Sequence, residues 1–259
     1  MTFTWNLPFL EPHSVRAQLL NPRKYALIIL NQPFTFNLLN QLWDASSWKC
    51  CADGGANRLH DTLNAEHDVR TQFLPDLIKG DLDSLRNDVR EYYQAHGVPV
   101  VHDRDQNSSD LMKCITALSE KERAEDRRPQ FDIIILGGLS GRLDQTIHTL
   151  SQLHKLRKTR ERVFSLTDEN IAWVLNEGEH YLHLNQAYLG ITCGLLPVGI
   201  DHTMLTTRGL EWNLTDAKSC FDGLVSTSNH LVPGEDTVYI KTTKPLLWTV
   251  ELRVDSLTF

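Results

Sequence analysis

Phe131-Asp132-Ile133-Ile134-Ile135-Leu136-Gly137-Gly138, running on into Leu139-Ser140-Gly141-Arg142-Leu143-Asp144-Gln145, is the stretch that decides the fold. Its first part is apolar almost throughout, the pattern of a strand covered on both faces. A double glycine closes it, and Leu143, Ile147 and Leu150 then recur at helical spacing. Strand, glycine turn and helix in that order predict a parallel, layered sheet.

The same alternation recurs upstream. Tyr25 to Leu30, Lys49 to Ala52, Leu74 to Ile78 and Val98 to Val101 read as further buried strands. Phe36 to Trp43 reads as a short helix, and Leu111, Ile115 and Leu118 mark the face of another. Near residue 165 the pattern changes. Ile171 to Leu175, Tyr181 to Leu184, Tyr188 to Cys193, Thr203 to Thr207, Gly223 to Ser228, Thr237 to Lys241 and Leu246 to Leu252 are short β-like runs separated by Gly, Pro, Asn and Asp. Such spacing predicts an antiparallel sandwich or barrel. The fold class is therefore α/β plus all-β, with the boundary near residue 175; Val163 to Thr167 closes the first sheet or opens the second.

Composition narrows the function. The 26 Lys and Arg against 33 Asp and Glu give a formal charge of -7, which argues against non-specific nucleic-acid binding. The cysteines number five, two of them adjacent (Cys50-Cys51), with no CxxC, which favours a reduced compartment without structural zinc. Residues 1–18 lack a basic region followed by an apolar one, so no signal peptide is expected, and no run of about 18 apolar residues predicts a membrane span. Cytoplasm is the expected location.

Three acidic clusters follow strand-like runs: Gly80-Asp81-Leu82-Asp83-Ser84, Asp105-Gln106-Asn107-Ser108-Ser109-Asp110, and Gly141-Arg142-Leu143-Asp144-Gln145. Asp81 and Asp83 are two apart, so on an extended segment they face the same way. Each cluster also has a plain structural reading: a self-bonded turn for the first, a helix cap at Ser109 or Asp110, and a dipole-complementing first turn at Asp144. Gly137 and Gly138 offer backbone N–H groups to a phosphate, and Arg142 can fork onto phosphate oxygens. Asp53-Gly54-Gly55-Ala56-Asn57 is a site loop or merely a turn. Neither a P-loop nor a Gly-x-Gly-x-x-Gly fingerprint is present. Carboxylates gathered at the ends of parallel strands suit a magnesium-bound polyphosphate. Magnesium takes only one or two carboxylates beside phosphate, so the aspartates cannot all be direct ligands.

These motifs resemble those of eukaryotic thiamine pyrophosphokinases. The resemblance runs from about Tyr25 to Thr249, on Ile29-Leu30-Asn31-Gln32-Pro33, Ala52-Asp53-Gly54-Gly55-Ala56-Asn57-Arg58, Gly80 to Ser84, Leu136 to Leu139, Gly141 to Gln145, Gly194-Leu195-Leu196-Pro197-Val198-Gly199 and Leu224-Val225-Ser226-Thr227-Ser228-Asn229. It implies a nucleotide-binding catalytic domain over 25–175, a thiamine-binding β-sandwich over 176–259 and a variable N-terminal extension over 1–24. The implied enzyme is a homodimer with sites at the subunit interface. Its reaction converts ATP and thiamine to AMP and thiamine diphosphate with Mg2+.

By motif, the resemblance assigns Asp81, Asp83, Asp105, Asp110 and Asp144 to magnesium and the triphosphate, with Asp81, Asp83, Asp110 and Asp144 as the catalytic set. Asp53, Asn57, Arg58, Gln106, Gly137, Gly138 and Arg142 fall to the nucleotide, and Ser226, Thr227, Ser228 and Asn229 to the thiamine. Trp212 is the candidate for stacking on the thiamine rings, against an ordinary place in the sandwich core. Asn107 stands where some relatives carry aspartate and is left out of the ligand set. His148, one turn after Asp144, reads as a helix-surface histidine, and no general base stands out. Two rival readings keep the pocket: a hydrolase or transferase with another acceptor, and a non-catalytic sensor.

Overall fold

The computed structural model describes residues 1–20, 22–63, 69–126 and 128–257. Strand β1 (Thr2–Trp5) and the one-turn helix α1 (His13–Arg16) open the chain. Strands and helices then alternate: β2 (Tyr25–Ile29), α2 (Phe36–Ala45), β3 (Ser46–Ala52), α3 (Gly55–Thr62), β4 (Leu77–Gly80), α4 (Asn87–Ala95), β5 (Val100–His102), α5 (Asp110–Ala124), β6 (Asp132–Leu136), α6 (Leu143–Leu156) and β7 (Val163–Leu166). The remainder is strand: β8 (Asn170–Leu175), β9 (Gly178–His183), β10 (Leu189–Leu196), β11 (Thr203–Arg208), β12 (Ala217–Ser219), β13 (Ser226–His230), β14 (Thr237–Thr242) and β15 (Leu246–Leu252).

A ten-stranded sheet has the order β13-β10-β15-β8-β7-β6-β2-β3-β4-β5. From β7 to β5 every pairing is parallel. From β7 through β8, β15 and β10 to β13 every pairing is antiparallel. The expected mostly parallel sheet and antiparallel C-terminal part are both present, joined edge to edge. The five-stranded sheet β1-β9-β14-β11-β12 packs over the antiparallel end and completes the sandwich.

Period-two alternation explains the layering. Leu27 and Ile29 of β2, with Ile134 and Leu136 of β6, join one core with Leu38 and Leu42 of α2, Leu59 of α3 and Val89 of α4. Ala26 and Ile28, with Ile133 and Ile135, join the other core with Leu111, Cys114 and Leu118 of α5 and Leu153 of α6. Burying each such aliphatic side chain stabilises the fold by roughly 1.5–3 kcal/mol. Ile134→Ala would cost about 2–5 kcal/mol, because a helix-covered strand cannot collapse onto the void. Trp173 and Trp248, neighbours across β8 and β15, fill the sandwich core.

The order of strands reverses between β2 and β6. The chain runs outward from β2 to β5 on one side, then returns to place β6 and β7 on the other. Such a reversal opens a crevice at the carboxyl ends of the two strands. The N-terminal residues are woven in: β1 pairs parallel with β9, Trp5 Nε1 donates to His180 Nδ1 at 2.9 Å, and Phe9 and Leu10 are buried.

Helix α6 departs from its sequence reading. It docks through Thr149, Gln152, Leu153 and Leu156, while Leu143 and Ile147 are 74% and 55% exposed. Its first turns overhang the crevice, so the apolar face read from Leu143 and Ile147 meets no core.

Candidate functional site

A cleft of about 430 Å³ fills the crevice, lined by residues from the ends of β2, β3, β4 and β6 and the starts of α5 and α6. Asp53, Asp81 and Asp110 converge there. One carboxylate oxygen from each lies within 4.8 Å of the others. Three separate strand-to-helix turns deliver them. Asp53 follows β3 in a left-handed backbone turn (φ 45°), Asp81 follows β4, and Asp110 opens α5, with Ser109 as its N-cap donating no charge and accepting Met112 N–H. Leu82, also left-handed (φ 61°), turns the chain between Asp81 and Asp83.

Hydrogen bonds fix the group. Asp110 Oδ1 accepts Asp81 N–H at 3.2 Å and the Lys113 ammonium at 3.1 Å. Asp53 Oδ2 accepts Ser84 N–H at 3.1 Å, while Asp53 Oδ1 is buried without a hydrogen-bond partner. Burial raises the Asp53 pKa above the usual carboxylate value, the Ser84 N–H opposes the rise, and the Asp110 charge adds to it. Three carboxylates offering hard oxygen donors, with Asp53 Oδ1 buried and unsatisfied, fit a magnesium or calcium ion and suit neither zinc nor a soft metal.

The other expected residues divide. Asp83 lines the cleft and accepts Ser84 Oγ–H at 3.0 Å. Arg142 lines it too, holding Asp144 at 2.6 Å on an exposed rim and keeping that carboxyl below its ordinary pKa. Asp144 itself does not line the cleft, nor do Asp105 and Gln106. Asp105 is tied into its own loop, accepting Asn107 N–H at 2.9 Å and Ser108 Oγ–H at 2.5 Å. Asn57 pins the loop after β4, donating to Ser84 O at 2.7 Å and accepting Arg86 N–H at 3.1 Å. Arg58 donates to Asn31 Oδ1 at 3.0 Å. The two glycine N–H groups are engaged: Gly137 with Leu166 O at 2.7 Å and Gly138 with Gln32 Oε1 at 2.8 Å. His148 lines the cleft beside Thr149, with its pKa lowered by partial burial and by Lys155.

Two contributors escaped the sequence reading of individual residues. Gln32, at the end of β2, spans the crevice: its Oε1 also accepts Ser140 Oγ–H at 2.9 Å and its Nε2 donates to Ser140 O at 2.6 Å. Its signal was the polar Asn31-Gln32-Pro33 break after an apolar strand. Lys113 is buried beside Asp110, and its signal was an i+3 spacing inside α5.

A second polar patch lies at the far edge of the large sheet. Trp212 is 53% exposed, which removes the sandwich-core alternative, and its ring lies 5.0 Å from that of His230. Asn229 is buried and clamps the Trp212 backbone: Oδ1 accepts Trp212 N–H at 3.2 Å and Nδ2 donates to Trp212 O at 2.9 Å. Ser226 Oγ supports the same amide, Ser228 adopts φ 51°, and Thr227 and Ser228 are exposed. A larger groove of about 550 Å³, between residues 6–19 and the β9–β10 connection, holds no comparable carboxylate group among the described residues.

Comparison with known proteins agrees with this division. Residues 39–165 match the family described as "Thiamin pyrophosphokinase, catalytic domain", and residues 179–247 match "Thiamin pyrophosphokinase, vitamin B1 binding domain". A rice (Oryza sativa subsp. japonica) protein, "Thiamine pyrophosphokinase 3", is 36% identical over 237 residues, covering 88% of this chain and 87% of its own. The crystal structure of yeast thiamin pyrophosphokinase superposes with a TM-score of 0.85 at 27% identity, covering 98% of this chain and 92% of that one. Thiamin pyrophosphokinase from Candida albicans gives a TM-score of 0.81 at 25% identity, covering 97% and 92%. With a catalytic-domain match over the acidic cleft and a vitamin B1-domain match over the Trp212 patch, the chain belongs to the thiamine pyrophosphokinase family.

Proposed function

We propose that this chain is a magnesium-dependent thiamine diphosphokinase, moving the terminal diphosphate of ATP to the hydroxyl of thiamine and releasing AMP. The observation that carries the reading is the convergence of Asp53, Asp81 and Asp110 at the strand-order reversal. Such transfers need positioning and charge neutralisation more than covalent help. Asp53, Asp81 and Asp110 would hold magnesium, with Asp83 beside them. Once bound, the ion offsets the negative charge of the polyphosphate. Arg142 stands free on its second face to meet phosphate oxygens, and Gln32 fixes the loop that carries it. Asp144 aims Arg142; Asp105 shapes the loop leading into α5. Asn57 and Arg58 support the nucleotide side of the cleft from behind.

Thiamine would rest on Trp212, with Thr227 and Ser228 offering hydroxyls and Asn229 holding the tryptophan in place. Strand β13 stands five strands from β6 in the large sheet, roughly 24 Å at ordinary strand spacing. Thiamine on that patch does not reach ATP in the cleft of the same chain. This separation supports a homodimer in which one chain's patch faces its partner's cleft, and exposed Leu143 and Ile147 beside the cleft supply an apolar face for it. Cytoplasmic residence fits the five cysteines, all buried and none in a disulfide. Among the described residues no helix is long and apolar enough to cross a membrane.

The deciding assay supplies thiamine, ATP and magnesium to the purified protein and follows AMP and thiamine diphosphate together. Equimolar, thiamine-dependent appearance of both is expected. AMP without thiamine diphosphate would replace the reading by hydrolysis or another acceptor, and thiamine binding without AMP would replace it by a sensor.

A further inference from the structure

Lys113 is 3% exposed, one turn after Asp110 on α5, and outside the cleft lining. A lysine this deeply buried needs a partner. Its ammonium donates to Asp110 Oδ1 at 3.1 Å, the same oxygen that accepts the Asp81 N–H. The neighbouring cations are committed elsewhere: Lys79 to Asp103 at 3.2 Å, Arg58 to Asn31, and Arg142 to Asp144. Three carboxylates whose oxygens lie within 4.8 Å, one of them the buried Asp53, repel one another. Lys113 is the cation placed to offset that repulsion from below the cleft.

We propose that Lys113 is a built-in counter-ion that holds the acidic cluster assembled before magnesium arrives and limits how tightly magnesium binds. The proposal rests on the reading of the cluster as the magnesium site. Lys113 is a positioning residue, since it reaches the cleft only through Asp110. Its charge has two opposite consequences. It stabilises the magnesium-free protein, and it repels the incoming divalent ion, which weakens binding and keeps the ion exchangeable.

The test uses the full chain with Lys113→Met, Lys113→Arg, Asp110→Asn and the Lys113→Met/Asp110→Asn pair. Melting temperature is measured in EDTA, and magnesium chloride alone is titrated by calorimetry. Lys113→Met is expected to melt lower in EDTA yet bind magnesium about tenfold more tightly, as loss of one nearby positive charge requires. Lys113→Arg, which keeps the charge, is expected to retain wild-type magnesium affinity. The double variant is expected to be more stable in EDTA than the two single effects predict when added.

Unchanged or weaker magnesium binding by Lys113→Met overturns the proposal, as does strict additivity in EDTA. If wild-type protein binds no magnesium, the reading of the cluster falls, and the EDTA cycle alone still decides whether Lys113 is its counter-ion. The double variant leaves neither member of the Lys113–Asp110 pair as an unpaired charge. It therefore carries the stability test even if Lys113→Met alone does not fold, and failure to recover a folded protein there also overturns the proposal.

Discussion

Gly80 lies against Asp53 so closely that a Cβ on the glycine would fall 2.7 Å from the Asp53 Cβ. The same atom would sit 3.0 Å from Asp110 Oδ1. Gly80 carries no unusual backbone angle; it is small because two carboxylates from neighbouring turns must meet over it. Gly80→Ala is therefore expected to push Asp53 and Asp110 apart. Overpacking of this kind costs about 1–3 kcal/mol, and a misplacement of about 1 Å costs roughly a hundredfold in rate. Thermal melting and kcat measured together check this; wild-type turnover in Gly80→Ala would show that the spacing of the group is unimportant.

Removing a charge from the cluster should separate stability from function. Asp81→Asn relieves repulsion in the magnesium-free protein, so its melting temperature should rise, by about 2–4 °C for each kcal/mol gained. Turnover should fall by at least about a hundredfold. Asp83→Asn and Asp144→Asn should likewise abolish turnover while leaving the fold intact, Asp144 acting through the aim of Arg142. Near-normal rates in purified Asp81→Asn or Asp83→Asn would sink the magnesium assignment.

Gln32 ties the far wall of the crevice with three hydrogen bonds to Gly138 and Ser140. Gln32→Ala should loosen the 138–142 loop and raise KM for ATP about tenfold while leaving KM for thiamine unchanged. Faster amide exchange at Gly138 would accompany it. Equal changes in both KM values would place Gln32 in general folding instead.

At the other patch, Trp212 and Asn229 should behave as one device. Trp212→Ala removes the stacking surface, worth ~0.5–2 kcal/mol toward a cationic ring. Asn229→Ala leaves the Trp212 backbone N–H and C=O without their clamp and should cost about 1–3 kcal/mol of stability. Both should raise KM for thiamine, and the double variant should be little worse than either alone. Independent, additive losses would separate the two roles.

The pH dependence of stability should conceal two opposed terms. Burial raises the Asp132 carboxyl to about 6, against the pull of Arg23 and Arg162. The folded chain then binds more protons than the unfolded one between about pH 4 and 6, so this group makes stability fall as pH rises through that window. Burial lowers His180 to about 4, its bond to Asn176 O opposing. Here the unfolded chain binds more protons between about pH 4 and 6.5, so stability rises with pH. Each is worth at most roughly 3 kcal/mol, and they act in opposite directions. Asp132→Asn should expose the His180 term as a steeper rise in melting temperature from pH 4.5 to 6.5. A slope identical to wild type would refute the opposition.

Strands such as Phe131 to Leu136 were legible because burial on both faces leaves a continuous apolar run, and the sandwich strands because turn residues punctuate them. The first turns of α6 were misread: period alone marks a face, and Leu143 and Ile147 share it without a core beneath. Site loops were legible as loops, yet which aspartates meet was not. Asp53, Asp81 and Asp110 are brought together by strand order, a long-range property, whereas Asp105 turned inward to its own backbone. Lys113 offered only its i+3 spacing from Asp110, a weak signal because a helical lysine ordinarily faces water.

The pairing of β1 with β9 means that the first residues act as a hem on the smaller sheet. Without them, Gly178–His183 would keep its pairing with β14 but become an edge strand with its outward N–H and C=O groups bare, and His180 would lose the indole bonded to it. A chain shortened there would present an open, half-apolar edge to any neighbour. Its first failure would be self-association of folded molecules, well before any loss of chemistry at the distant cleft.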